Sequence, residues 1–553
     1  MSADLIITNA RLLTMDEARP RAEAIAVSGN RIAAVGDRRA IEAERGPSTR
    51  IIDAGGATVL PGFVEGHMHL FAGAANLSVL SLEGIFGRDR SAQLVRDYAA
   101  AHPTHKLVYA VQANYSIFGD GVAVTRHELD QILSDRPLAF HAPDGHTVWA
   151  NTKALEATGL LRGKRLSPGN EIVMGADGLA TGELREPEAY EAIIALIPTG
   201  GRESAGILQD REPEATAAER AADREIIAHG LAFCAAQGIT SIQNMDGNIY
   251  QLEHLEALDG EGRLAARVTM PFHLKSTLPA SMIAEKAVGM RRRWSGERLK
   301  CNFVKIFVDG VIDSGTAFML EDYADLPGVR GDPLFTAEMM NEACVLADKL
   351  GFQIAVHAIG DAGVRRTLDA FELAEKTNGR RDSRHRIEHI EVIHPDDIPR
   401  FRKLSVIASM QPIHPPSPLL FPETPTLGRI GDARLPYAYA WRTLKDAGAR
   451  IVYASDWPVA PLPPLLSIQA AVTRKPYRPG LPDQRLSLMD SLAAYTCAGA
   501  YAEFAETEKG MLKPGYLADI AVLSGDIERS DANAIKDMTV RVTVCDGRIT
   551  HEA

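Results

Sequence analysis

Two histidines one residue apart, His67 and His69, follow an apolar run that begins at Leu60 and breaks at Pro61 and Gly62. In an extended strand successive side chains alternate between faces, so the two imidazoles point the same way and could bind one metal ion. A lone His-x-His pair is weak evidence, because polar residues often close a strand. The prediction of a metal site therefore depends on further ligands elsewhere in the chain.

Four more residues of ligand type stand at or near the carboxyl ends of later apolar runs: Lys305, His357, His389 and Asp456. Each of them alone has an ordinary explanation as a hydrogen-bonded polar residue. Their joint placement is much harder to obtain by chance. Four neutral imidazoles and a carboxylate suit zinc or a similar divalent ion, whereas a lysine ammonium would be repelled by the cation.

Eight strands that alternate with helices would position these side chains. From residue 221 onward, helix-like segments lead to short apolar runs, and the opening stretch adds one more strand. The predicted strands are 60–69, 239–242, 268–272, 303–308, 353–357, 386–389, 406–410 and 451–456. This alternation predicts an α/β fold, a (β/α)8 TIM-like barrel, whose active site lies at the carboxyl ends of its strands.

The two ends of the chain share a different texture. Short apolar runs separated by Asn, Asp and Gly predict strands of one small domain, with a hairpin turn at Asp546 and Gly547. The passage after the first barrel strand is irregular and contains many Gly and Pro residues, which predicts an insertion. The expected domains are a composite β-sandwich of 1–58 and 508–553, a barrel of 59–74 and 225–507, and an insertion or cap subdomain of 75–224.

The composition of the 553 residues excludes several classes of partner. A formal net charge of -12 without basic runs argues against nucleic acid or an anionic membrane, and favours a small-molecule substrate. Five scattered cysteines without a Cys-x-x-Cys pair argue against a disulfide framework or a thiolate zinc site, and favour the cytoplasm. We expect no signal peptide and no membrane span, because neither pattern occurs in the sequence.

Several motifs are specific in combination and extend along nearly the whole chain: LPGFVEGHMH at 60–69, WANTKAL at 149–155, TGE at 181–183, VKIFVDG at 304–310, HAIGD at 357–361, HRIEH at 385–389, SMQP at 409–412, SDWPV at 455–459 and KPGYLAD at 513–519. Together they resemble the amidohydrolase superfamily, specifically its YtcJ-like (amidohydrolase 3) branch, which includes enzymes of the N-substituted formamide deformylase type.

The resemblance implies that Lys305 is N6-carboxylated and bridges two divalent metal ions. Reaction with carbon dioxide would turn the ammonium into an anionic carbamate with two oxygens, which removes the charge conflict. The predicted ligands then divide between the two ions: His67, His69 and Asp456 hold one, and His357 and His389 hold the other. Zinc is the default ion. A single ion beside an unmodified Lys305 stays the alternative, since some relatives retain one ion.

The resemblance also implies a reaction, in which two cations acidify a water and Asp456 carries a proton from that water to the leaving nitrogen. The expected function is hydrolysis of a C–N bond in an amide, an N-substituted formamide, a carbamate or a cyclic amide. An ester or lactone hydrolase on the same site is one alternative, and a non-catalytic binding or regulatory protein is another. Oligomers are common in the superfamily, which leaves a homodimer or higher homo-oligomer open.

Six residues are candidates for substrate contact: Tyr115, Phe118, His146, Gln411, His414 and Trp457. Many relatives carry a Gly-Trp-Asp-like segment where this chain has 112–119, so we expect a changed pocket. The aromatic side chains of Tyr115, Phe118 and Trp457 predict a substrate with an aromatic or apolar group. Ordinary loop hydrogen bonding accounts equally well for the two histidines and the glutamine. Asp309 and Asp361 are expected to orient neighbouring groups or to shape loops.

Overall fold

The structure is a computed structural model that describes residues 2–119, 121–143, 145, 147–166, 170–208, 212–417, 421 and 423–553. The chain forms two compact units. The first contains Met1–His69, Leu231–Trp457 and Pro461–Ala553, and the second contains Leu70–Gly230 and Pro458–Ala460. The expected insertion, 75–224, lies inside the second unit.

Eight parallel strands of the first unit form a barrel in which each strand pairs with the next along the chain. We label them in order: β1 Phe63–Met68, β2 Ile239–Asn244, β3 Arg267–His273, β4 Leu299–Phe307, β5 Gln353–Ala358, β6 Arg386–His389, β7 Ile407–Met410 and β8 Arg450–Tyr453. Most of their residues are buried, because a parallel strand in a barrel is covered on both faces.

Hydrogen bonds between the ends of the first and last strands close the barrel. The Asp456 N–H donates to the His67 carbonyl at 2.9 Å, and the His69 N–H donates to the Trp457 carbonyl at 2.7 Å. Gly66 permits this close approach, because a Cβ there would lie 2.7 Å from the Val452 Cγ1. Closure therefore places His67 and His69 beside Asp456 and Trp457, in the segment after β8.

The apolar run that precedes the two histidines belongs to two sheets. Its first part, Thr58–Pro61, pairs antiparallel with Ile520–Leu523 of the terminal domain, and its second part is β1. Gly62 joins them at a point where a Cβ would lie 2.2 Å from the Thr240 Cγ2. The same short stretch thus connects the terminal domain to the strand that carries His67.

Two sheets of strands from both chain ends pack against a common apolar core, as in a β-sandwich. One sheet has the order Arg31–Gly36, Ala24–Ser28, Ala3–Thr8 and Arg45–Asp53; the other has the order Arg548–Glu552, Val540–Cys545, Ile520–Leu523, Thr58–Pro61, Arg11–Leu13 and Arg21–Ala22. The predicted hairpin turn is present, with positive φ angles of 57° at Asp546 and 73° at Gly547.

Helices follow the barrel strands, as the (β/α)8 pattern requires. The main ones are Ile249–Gly260 after β2, Val288–Arg293 after β3, Ala337–Lys349 after β4, Asp361–Asn378 after β5, Ile398–Lys403 after β6, Glu423–Ile430 and Trp441–Asp446 after β7, and Pro464–Thr473, Leu488–Ala494 and Cys497–Ala502 after β8. None of the helices in the described ranges combines the length and the apolar composition that a membrane span needs.

The second unit has its own mixed sheet of six strands. Their order is Glu171–Met174, Ala180–Arg185, Thr147–Ala150, Leu138–His141, Val108–Val111 and Leu80–Ser81. The helices in this segment of the chain are Leu70–Asn76, Arg88–Ala101, Arg126–Ile132, Thr152–Thr158, Pro187–Ile194, Ala205–Leu208 and Ala217–Ala236. Asn151 of the WANTKAL motif caps Thr152–Thr158, because its side chain accepts the Ala154 N–H at 2.9 Å.

The predicted fold class, a TIM-like barrel with a β-sandwich from both termini and an insertion after the first barrel strand, is confirmed. Individual bounds differ. β4 begins at Leu299 rather than at residue 303, and β8 ends at Tyr453 although the apolar pattern runs toward Asp456. The strand pattern does not continue through Asp456, whose backbone is in the left-handed region with φ 62°.

A buried ion pair ties the barrel to the terminal domain, and its loss should destabilise the fold. Arg267 of β3 donates to Asp519 at 3.0 Å and to Asp546 at 2.7 Å, and its side chain is 5% exposed. We expect R267M to lower the free energy of unfolding by about 3–5 kcal/mol, because a buried carboxylate loses its partner. Urea unfolding followed by circular dichroism measures the change.

The matched control is R21M, which removes an arginine that pairs with Glu528 at the surface and is 60% exposed. An exposed pair contributes at most about 1 kcal/mol. Equal losses in the two variants would contradict a special role for the buried pair.

Candidate metal centre

All six predicted ligands lie at the carboxyl ends of barrel strands. His67 is in β1 and His69 lies just beyond it, Lys305 is near the end of β4, His357 is in β5, His389 ends β6, and Asp456 follows β8. Parallel strands present their carboxyl ends on one side of a barrel. The topology therefore brings together residues that are up to 389 positions apart, from 67 to 456.

Three of these residues form a tight buried group: ligand atoms of His67, His389 and Asp456 all lie within 4.8 Å of one another. His69 joins them through the same carboxylate. The Nε2 atoms of His67 and His69 lie 3.2 and 3.1 Å from the Asp456 Oδ1. Two imidazole nitrogens therefore converge on one carboxylate oxygen.

The arrangement fits a divalent metal ion. Ligand atoms that surround a zinc ion at about 2.1 Å are separated by about 3 Å from one another, which is the spacing found around the Asp456 Oδ1. Among the described residues this oxygen accepts no hydrogen bond of good geometry, although it is buried. Imidazole nitrogens and a carboxylate are also the donor set that zinc and related ions prefer.

Two of the grouped residues have an unusual backbone. The φ angles are 74° at His389, 50° at the next residue, Ile390, and 62° at Asp456. Left-handed conformations are costly for residues other than glycine, and especially for β-branched ones such as isoleucine. The turn at His389 also matters for direction, because strand alternation alone would send Glu388 and His389 to opposite faces, whereas both contact His67.

Carboxylates hold the far side of both β1 histidines. The Nδ1 of His67 lies 2.7 Å from the Glu388 Oε2, and the Nδ1 of His69 lies 2.5 Å from the Asp246 Oδ1. A carboxylate at Nδ1 keeps the proton there and leaves Nε2 as the metal-binding atom. The sequence analysis included Glu388 only as part of the HRIEH motif and missed Asp246, although Asp246 also follows the end of a barrel strand.

Lys305 and His357 lie in the same barrel interior. Burial lowers the pKa of Lys305 to about 8, and its Nζ lies 4.7 Å from the centroid of the Phe307 ring. Within the part of the chain that the structure describes, this Nζ has no hydrogen-bond partner. His357 lies beside His389, with ring centroids 4.5 Å apart, and its Nε2 donates to the Gly310 carbonyl at 3.1 Å. Its Nδ1 is therefore the atom left for a metal.

The charged groups of this site shift one another's pKa values. Although burial acts to raise the pKa of Asp456, His67 and His69 outweigh it and hold this pKa well below its usual range. Burial acts to lower the pKa of His69, but Asp246 and Asp456 outweigh it and raise it to about 10. Burial lowers the pKa of His357 to about 3, so that ring stays neutral. A metal would replace the proton that His69 carries between two carboxylates.

Two aspartates that follow predicted ligands shape loops. Asp309 accepts backbone N–H groups from Phe318, Ile359 and Gly360 at 2.9, 3.1 and 2.9 Å, and burial raises its pKa to about 7. Asp361 begins the helix after β5 and accepts the Leu320 N–H at 2.8 Å. These contacts organise the loop after β4 around the end of β5.

Three candidates for substrate contact lie in the barrel unit. The Gln411 Oε1 lies 3.0 Å from the Nδ1 of His389, so this amide orients a predicted ligand. The His414 Nε2 lies 3.8 Å from the Asp456 Oδ2, and its ring is parallel to that of His389 at 6.0 Å. Trp457 is buried and lies against Phe233, with ring centroids 5.7 Å apart. His414 and Trp457 therefore adjoin the residue expected to carry the proton.

The other three candidates belong to the second unit or lie outside the described residues. Tyr115 is half exposed, donates to the Thr147 hydroxyl at 2.8 Å and meets the Trp149 ring edge-on. Phe118 is partly buried and packs against that unit's own core, near Phe140. His146 lies outside the residues that the structure describes. Substrate contact by these residues remains a prediction.

Removal of a grouped histidine should release the metal. We expect H67A and H389A to lower the affinity for zinc more than about 100-fold, because each removes a direct ligand rather than a neighbour of one. Metal content after gel filtration, measured by mass spectrometry of the elements, tests this. H551A in a terminal strand is the control, and a wild-type metal content in H67A would contradict the site.

Comparison with known proteins agrees with this geometry. Over 94% of its length the chain is 29% identical to Protein LONG AFTER FAR-RED 3 of Arabidopsis thaliana, 87% of which is covered. It is 28% identical to the putative amidohydrolase YtcJ of Bacillus subtilis, with 98% of each chain covered, and 25% identical to the N-substituted formamide deformylase of Arthrobacter pascens, with 99% and 98% covered.

A solved structure supports the same assignment. The uncharacterized metal-dependent hydrolase of Pyrococcus furiosus superposes with a TM-score of 0.69 at 25% identity, over 93% of this chain and 98% of that one. The model of the amidohydrolase family matches residues 50–551. The resemblance to the YtcJ-like branch is thus confirmed, and the chain belongs to the amidohydrolase family.

Proposed function

We propose that this metal-dependent hydrolase of the amidohydrolase superfamily cleaves the C–N bond of an amide, an N-substituted formamide, a carbamate or a cyclic amide. The observation that carries the proposal is the buried convergence of His67, His69 and His389 on Asp456. Full-length similarity to an N-substituted formamide deformylase supports the substrate class. Zinc is the ion we expect, because imidazoles dominate the ligands.

When bound, divalent ions would supply an acidified water and a Lewis acid for the substrate carbonyl. The residues of the chain provide the rest. The Asp456 Oδ1 faces the Nε2 atoms of His67 and His69, whereas its Oδ2 lies 3.8 Å from both the His389 Nδ1 and the His414 Nε2. One oxygen of the carboxylate is thus engaged with the β1 histidines, and the other can accept a proton and return it to the leaving nitrogen.

Burial strengthens this chemistry. The exposed fraction is 1% for His67, 4% for His389 and 5% for Asp456. In a low-dielectric interior, charges interact more strongly than in water, and groups already held in place need little reorganisation during the reaction. The rigid strand ends that hold these side chains therefore favour proton transfer at a fixed position.

We further propose that Lys305 is carboxylated and that the centre holds two ions. The support is a fully buried lysine amine on β4, beside the metal-ligand residues. A carbamate would bring a negative charge and two oxygens to this position, where an ammonium would repel the ions. His357 and His389 would then hold the second ion, as the family pattern implies.

A hydrolysis screen tests the proposed reaction. Metal-loaded protein is assayed with N-substituted formamides, N-acyl amines, carbamates, cyclic amides and lactones. We expect turnover of at least one C–N substrate, abolished by a chelator and restored by zinc. Hydrolysis of esters or lactones alone would contradict the proposed substrate class. Activity that persists in the presence of the chelator would contradict metal dependence.

Asp456 should matter more for turnover than for folding. We expect D456N to lower kcat by about 10²–10⁴-fold, because an amide cannot accept the proton. The measurement is kcat together with metal content and the unfolding midpoint. The control is D446N, a change of the same kind at an exposed helix position. Near-normal turnover by metal-loaded D456N would contradict the assigned role.

The carbamate adds about 44 Da to the chain and is lost in acid. We expect native mass spectrometry of the metal-loaded protein to show this increment, and K305R to lose both the increment and the second ion. K300R, on the same strand and outside the predicted ligand set, is the control and should retain both. One ion per chain with an unmodified Lys305 would end the bridged arrangement.

A further inference from the structure

Arg386, the first residue of β6, connects four strands beneath the metal-binding residues. Its side chain is 1% exposed, which makes it one of the largest fully buried groups of the described chain. The guanidinium donates to the Gly66 carbonyl on β1 at 2.6 Å and to the Ser409 hydroxyl on β7 at 2.7 Å. It also donates to the Gln243 side chain on β2 and to Glu388 on its own strand.

The geometry of these contacts leaves the guanidinium little freedom. A guanidinium has five N–H groups in a planar fork, and burial requires each to find an acceptor. Here Nε and both terminal nitrogens donate hydrogen bonds. Nη2 alone contacts three acceptors, on Gly66, Glu388 and Ser409. Gln243 is itself held, because its amide donates to the Gly499 carbonyl at 3.2 Å. The position of the Arg386 plane is therefore set by several strands at once.

Glu388 passes this constraint to a predicted metal ligand. Both of its oxygens contact Arg386, and Oε2 lies at 3.0 Å from Nη2 and at 2.7 Å from the Nδ1 of His67. The carboxylate can accept only along its lone-pair directions, so the fork fixes where the His67 N–H must point. The Nε2 of His67 is then directed to the Asp456 Oδ1, 3.2 Å away.

We propose that Arg386 is a positioning residue for the metal centre, which acts through Glu388 to hold His67 in its metal-binding orientation and tautomer. The inference rests on the proposed metal-dependent function. A purely structural ion pair would instead stabilise the barrel without any particular effect on the affinity for metal. The affinity for metal therefore distinguishes the two explanations, because only a positioning role requires it to fall when Arg386 is replaced.

The test is calorimetric titration of zinc into metal-free protein, without substrate. We expect R386M to weaken zinc binding by about 10–100-fold, the range found when a group that supports a metal ligand is removed. R386K should lie between R386M and the wild type, because an ammonium keeps the charge but cannot occupy the planar fork. The matched control is R267M, which breaks another buried ion pair of the same barrel and should keep wild-type affinity despite its lower stability.

A double-mutant cycle tests whether Arg386 acts through Glu388. E388Q alone should weaken zinc binding, and addition of R386M should change the affinity little further, because the two residues share one route to His67. Independent, additive losses would overturn that route.

Three results would overturn the proposal: wild-type zinc affinity in R386M, an equal loss of affinity in R267M, or, if R386M does not fold, wild-type affinity in folded R386K. The outcome is separable from that of the proposed function, since zinc binding is measured without turnover. Normal zinc binding and positioning with no hydrolysis of any C–N substrate would tell against the reaction alone.

Discussion

The candidate metal centre depends on the contact between the first barrel strand, β1, and the segment that follows the last strand, β8. The Asp456 N–H bonds to the His67 carbonyl, and the Asp456 side chain faces the imidazoles of His67 and His69. One residue thus closes the sheet through its backbone and organises the candidate metal centre through its carboxylate. Because the backbone hydrogen bond sets the register of β1 against the end of β8, a shift there would move both histidines away from the carboxylate.

The buried charged side chains around this contact are linked to one another by hydrogen bonds. The histidines that face Asp456 form hydrogen bonds on their other side, His67 with Glu388 and His69 with Asp246. Glu388 in turn accepts hydrogen bonds from Arg386. Although burial acts to raise the pKa of Glu388, Arg386 and His67 outweigh it and hold that pKa well below its usual range. At Glu65 the effect of burial prevails and raises its pKa to about 8, although N–H groups of His67 and Ser455 act to lower it. A buried carboxylate stays charged more readily where an opposite charge compensates for its lost hydration.

The second unit has its own sheet and its own apolar core, and this core accounts for some of the aromatic residues that the sequence analysis considered for substrate contact. Phe118, a predicted substrate contact, is partly buried and packs against that core. Tyr115, another predicted contact, meets Thr147 and Trp149 of the same unit. Aromatic residues in an insertion serve packing as readily as recognition. The choice of substrate is therefore a separate question from the family assignment, which covers residues 50–551.

The sequence by itself determined the eight strands, the sandwich of both termini and the ligand types at the strand ends. These follow from local pattern, since apolar runs and the residues that end them are adjacent in the chain. Only the tertiary structure decided which groups support the ligands. Glu388 lies 321 positions from His67, and Asp246 lies 177 positions from His69. The left-handed turns at His389 and Asp456 likewise leave no local signal, because neither residue is a glycine. The LPGFVEGHMH stretch illustrates this difference. Its two histidines form a local sequence pattern, but the residues that contact them come from strands that are distant in the chain.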